Sequence, residues 1–89
     1  MENKEIRILG VKVTNRNQEA ETVQRILTRF GCCIKMRLGL HENAKNPCTP
    51  YGLILLELYG NPQDMENLEK ELNALEGIET KKMSFMFED

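Results

Sequence analysis

The chain has 89 residues and 10.3 kDa, with 12 Lys plus Arg against 14 Asp plus Glu, one His, three Cys and no Trp. A chain this short buries only about 60 to 65 % of its extended surface, so it forms one domain over 1–89 with a thin core and little room for an internal active-site cavity. A formal net charge of -2 lacks the basic footprint of a dedicated nucleic-acid binder, and no apolar run approaches the roughly 20 residues needed to cross a bilayer.

The first run, Glu5 to Val13, carries Ile6, Ile8, Leu9, Val11 and Val13 on both alternating sets, the pattern of a central strand. Thr14-Asn15-Arg16-Asn17 breaks it with turn and capping chemistry, and Glu19 and Glu21 put negative charge into a first helical turn. Ala20, Val23, Ile26, Leu27 and Phe30 then form one apolar stripe, with Glu21, Gln24, Arg25 and Arg29 toward solvent. Gly31 is expected to close this helix with a positive φ.

From Cys32 to His41 the residues alternate: Cys32, Ile34, Met36, Leu38 and Leu40 form one set, Cys33, Lys35, Arg37, Gly39 and His41 the other. This predicts a strand with Cys32 in the core and Cys33 at an interface. Residues 42–50, polar and with two prolines, read as a flexible surface loop that carries an incidental Cys48 thiol. Tyr51 to Tyr59 resumes extended structure with both sets mostly apolar. Gly60-Asn61-Pro62 is a helix start, with Asn61 as cap and Pro62 at the first helical position. Met65, Leu68, Leu72 and Leu75 make the second buried stripe, Glu66 and Lys70 are spaced to pair, and Gly77 ends the helix. Ile78 to Phe87 is the last strand, and its Lys81-Lys82 pair suits an edge.

This order folds through two right-handed crossovers into a ferredoxin-like βαββαβ sandwich of the α+β class. It has a four-stranded antiparallel sheet, order 4-1-3-2, with two helices on one face. The central strands are apolar toward both faces, yet the helices cover one. Leaving four or five such side chains wet forgoes roughly 1.5 to 3 kcal/mol each, so a homo-oligomer formed through the open face or the sheet edges is expected, most simply a two-fold dimer.

Chemistry-bearing constellations are sparse. Consecutive Cys32 and Cys33 on a strand point to opposite faces, and Cys33 and His41 lie about 26 Å apart along one strand. A metal site therefore needs Cys33, His41 and Cys48 assembled across a dimer, and it stands as the alternative reading: a metal- or thiol-dependent accessory factor in metalloenzyme assembly. With a single His there is no orienting third group for covalent catalysis, the carboxylates sit almost entirely on solvent faces of helices, and the six glycines are isolated. No enzyme activity is expected. Lys35, Arg37, Lys81 and Lys82 fall on the two predicted edges as edge protection or as an anion clamp. No groove-entering helix or stacking aromatic is left for nucleic acid. An odd number of cysteines and a charged start without an apolar segment behind it lead to the expectation of a cytoplasmic protein.

With the elements placed, the chain resembles ACT-like regulatory domains and, within them, the iron-only hydrogenase system regulators, related in fold to the C-terminal domain of the nickel-responsive repressor. The resemblance spans about 6–85. It rests on Arg29-Phe30-Gly31, on Ile34-Lys35-Met36-Arg37-Leu38-Gly39-Leu40, and on Gly77-Ile78-Glu79-Thr80-Lys81. Where many ACT domains carry an Asp-Arg-Pro-Gly-like turn, this chain has Asn15-Arg16-Asn17-Gln18, and the repressor's ligand histidines are absent. The resemblance implies a regulatory or sensory oligomer that binds a small-molecule effector or a hydrogenase-system protein. Its implied ligand positions are Asn15, Arg16 and Asn17 at the first turn, with Arg37, Gly39 and Lys81 near subunit contacts.

Overall fold

A computed structural model describes residues 3–14, 16–39 and 51–88, with the side chains of 3, 16–20 and 51 outside that description. Among the described residues the elements are β1 (Asn3–Thr14), α1 (Arg16–Arg29), a 3-10 turn (Gly31–Cys33), β2 (Ile34–Gly39), β3 (Tyr51–Leu58), α2 (Pro62–Asn73) and β4 (Ile78–Glu88). The sheet order is β2-β3-β1-β4, the expected order read from the other edge. All three pairings are antiparallel. The residues of the 42–50 loop lie outside the described residues.

Alternation along β1 sorts the core. Leu9, Val11 and Val13 point to the helices and are buried with Leu56 and Leu58 of β3, Val23, Ile26 and Leu27 of α1, and Met65, Leu68 and Leu72 of α2. Phe30, Ile54, Leu75 and Ile78 pack around this cluster. The start of α2 follows the expected chemistry: Asn61 Oδ1 accepts from the Gln63 backbone N–H at 2.8 Å, with Pro62 in the first turn. Gly77, after α2, has φ +82°, and a Cβ there would sit 3.1 Å from the Thr14 carbonyl oxygen. The turn entering β4 is thereby held against the end of β1, where the Thr14 N–H donates to the Gly77 carbonyl at 2.8 Å.

Three local expectations are corrected. Gly31 does not take a positive φ, which among the described residues falls to Gly60 and Gly77; the chain instead leaves α1 through the 3-10 turn. That turn, and not a strand, contains Cys32 and Cys33, so period-two alternation does not apply to them. Cys33 is buried in the core and Cys32 is exposed, the reverse of the expected assignment. Finally, the pairing of β2 shifts register between Ile34 and Met36. The extra residue reverses the facing of the rest of β2: Ile34 packs against the core, whereas Met36 and Leu38 face away from the helices.

β1 and β4 outrun the rest of the sheet. β3 pairs with β1 only from Arg7 onward, while residues 3–6 of β1 pair with 85–88 of β4. This two-stranded arm contributes to extents of 50 × 20 × 18 Å and a radius of gyration of 13.8 Å, against about 12 Å for a compact domain of this length.

Candidate functional site

The face of the sheet away from the helices is the largest feature that the core leaves unexplained. Cross-strand registers define it in rows. Leu38 of β2, Leu55 of β3, Gly10 of β1 and Lys81 of β4 form the central row. Met36, Glu57, Ile8 and Met83 form the next row toward the arm. Beyond them Ile6 pairs with Phe85 and Lys4 with Phe87. In the opposite direction lie Leu53, Lys12 and Glu79. Met36, Leu38, Leu53, Leu55, Met83, Phe85 and Phe87 are all exposed large hydrophobics.

Gly10 leaves a recess of about 270 Å³ in this face, walled by Leu53 and rimmed by Lys12, Glu79 and Lys81. Glu79 bridges the two lysines, at 3.0 Å from Lys12 Nζ and 3.8 Å from Lys81 Nζ. The hydrogen bond from Lys12, and then the charges of Lys12 and Lys81, hold its carboxyl below the usual range.

On the helix side an ionic cluster joins α2 to the sheet. Arg7 shares the core-facing set of β1 and is only 7 % exposed. Its Nε donates to Glu5 Oε2 at 2.6 Å and its Nη1 to Glu69 Oε2 at 2.5 Å, with Glu66 at 3.8 Å. Ser84 Oγ donates to Glu5 at 2.6 Å and Lys82 Nζ to Glu69 at 3.1 Å. Glu5 is acidified first by its hydrogen bond from Arg7 and then by that from Ser84, and Arg7 is held protonated chiefly by Glu5. The expectation that the helix carboxylates are simply solvated fails at Glu69, because an arginine occupies one of the core-facing positions of β1. That arginine within the Leu9, Val11 and Val13 set was the readable signal for the cluster.

The described members of the implied ligand set, Arg37, Gly39 and Lys81, lie apart from one another. Asn15 lies outside the described residues, and Arg16 and Asn17 begin α1 with side chains outside the description. Arg37 lies on the helix side, where its Nη2 donates to Gln24 Oε1 at 2.6 Å, whereas Lys81 lies on the open face. Gly39 pairs with Ile54, in line with Val11 and Thr80, so Gly39 and Lys81 sit on opposite edge strands about 14 Å apart. One copy of the described chain does not gather Arg37, Gly39 and Lys81 into one pocket.

For the metal alternative, His41 and Cys48 lie outside the described residues. Cys33 is enclosed in the core, where burial first and the Asp64 charge second push its thiol pKa up, away from the thiolate an ion requires. Among the described residues no group of three or more His, Cys, Asp or Glu side chains is placed to hold an ion. Nor is any described helix long and apolar enough to cross a membrane.

No family model matches the sequence, and no curated protein matches it. Solved structures do resemble the fold. The uncharacterized protein TM1266 from Thermotoga maritima superposes with a TM-score of 0.77 at 23 % identity, over 94 % of this chain and 99 % of that one. CPII, a nitrogen regulatory PII-like protein from Thiomonas intermedia K12 bound to ADP, AMP and bicarbonate, gives 0.58 at 10 % identity over 99 % and 100 %. A formyltetrahydrofolate deformylase from Pseudomonas putida KT2440 gives 0.53 at 14 % identity over 88 % of this chain but 28 % of that enzyme. The fold is therefore of the ACT-like and PII-like kind.

Proposed function

We propose that this chain is a non-enzymatic regulatory domain that self-associates and couples the binding of a small effector to that association. The observation that carries the reading is the open sheet face, with seven exposed large hydrophobics on the side opposite the helices. Monomers rarely leave so broad an apolar surface in water. Likeness in fold to CPII, a nitrogen regulatory protein bound to nucleotides, supports an effector of small-molecule size. Among the described side chains, Lys81 is the implied ligand position that lies on the open face beside the recess. The resemblance to iron-only hydrogenase system regulators is the ground for reading the regulated partner as a protein of that system. Effector and association are linked because a ligand shifts an equilibrium by its differential affinity for the two states.

A thermal-shift screen of AMP, ADP, the amino acids and divalent cations tests the effector half. An effector at about a hundred times its Kd adds about 2.7 kcal/mol, on the order of 10 to 20 °C in Tm for a domain of this size. A flat response across the panel overturns effector binding.

A further inference from the structure

Nothing among the described residues requires a glycine at Gly10. Its pairings with Leu55 and Lys81 lie within unbroken registers of β1 with β3 and β4, so no bulge explains it. Its φ is not in the left-handed region. A Cβ built there meets the Leu55 Cδ2 at 3.7 Å and the Lys81 carbonyl oxygen at 3.8 Å, ordinary contact distances. Glycine within a strand weakens it, and the remaining reason for one is the close approach of something from outside.

We infer that a second copy of this chain packs sheet against sheet over the open face, around a two-fold axis with Gly10 at the centre of contact. This rests on the self-association proposed above and names its surface. The seven half-exposed large side chains of the open face, at roughly 100 Å² each, offer on the order of 700 Å², close to the share one partner contributes to a standard stable interface. Charge points to a copy of the same chain. Glu57, half-buried one row toward the arm, has no ion pair among the described residues. Lys12, one row the other way, and Lys81, beside Gly10 in the central row, share the single carboxylate of Glu79. An isologous contact needs a surface complementary to itself. A carboxylate on one side of a central hollow and a lysine on the other provide that, because a two-fold axis lying in the contact plane and running across the strands carries each copy's Glu57 toward the other's Lys12.

Sedimentation equilibrium on the full chain, from 1 to 100 µM, tests the inference. The wild type is expected to approach twice the 10.3 kDa chain mass. Gly10→Val, whose Cβ would meet nothing closer than 3.7 Å, is expected to keep the native circular dichroism and to raise the dimer Kd at least tenfold, and Leu38→Glu, at an exposed position, is expected to do the same. Glu21→Ala, on the outer side of α1, is the control that leaves Kd unchanged. Wild type at the single-chain mass at 100 µM overturns the inference, as do an odd multiple of that mass or a dimer that survives Leu38→Glu. An effector response from a strictly monomeric chain overturns this interface alone and leaves effector binding standing.

Discussion

Leu56 and Leu58 of β3 are 1 % and 0 % exposed, while Leu53 and Leu55 of the same strand are 39 % and 41 % exposed. Residue type and strand are identical, so the difference lies in what covers each face. On the helix side two amphipathic helices close over the sheet, and Arg7 ties α2 down through Glu69. On the open side the same aliphatic chemistry meets no other element among the described residues. A strand that is apolar on both faces is a statement about two interfaces, of which the described residues build one.

Substitutions on the two faces should separate accordingly. Leu68→Ala, beneath α2, is expected to lose about 2 to 5 kcal/mol in urea unfolding, from lost transfer energy and the cavity left behind. Leu38→Ala, measured at concentrations too low for association, is expected to stay within about 0.5 kcal/mol of wild type. Equal losses at both positions would break the distinction. Arg7→Ala comes next, at roughly 2 kcal/mol, less than the about 3 to 5 of a fully enclosed pair because Glu5 and Glu69 keep some contact with water.

The helix-side cluster also sets a pH dependence. Glu5 has a folded pKa below its unfolded value, so its contribution is complete at neutral pH. It is lost as pH falls below the ordinary glutamate value of about 4.3 and through the folded pKa. Glu5→Gln should flatten the denaturation-midpoint profile in that window. An unchanged profile would mean that Arg7 draws its support from Glu69 alone. A smaller loss than at Arg7 is expected at Asn61→Ala, about 1 kcal/mol for a lost helix cap, read as a lower urea midpoint with an unchanged association constant.

Much of the fold was legible because long periodic segments dominate it: the stripes of α1 and α2 and the alternation of β1 and β3 come from apolar spacing alone. The strand between them was misread where geometry departs from period. The 3-10 turn exchanged the environments of Cys32 and Cys33, and the register shift at Lys35 turned Met36 and Leu38 away from Ile34. Neither event leaves a compositional mark. Gly10 was visible as a letter, but its meaning depends on which neighbours surround a missing Cβ, a property of three strands at once. The implied ligand residues were legible only one by one, and the topology places Arg37 and Lys81 on different faces.

The methionines supply the most direct measurement. Met36 and Met83 lie on the open face, while Met86, equally exposed, pairs with Glu5 on the other side of β4. Oxidative labelling and mass spectrometry at rising protein concentration should show Met36 and Met83 becoming protected while Met86 stays reactive. Equal labelling of all three at every concentration would contradict a covered open face.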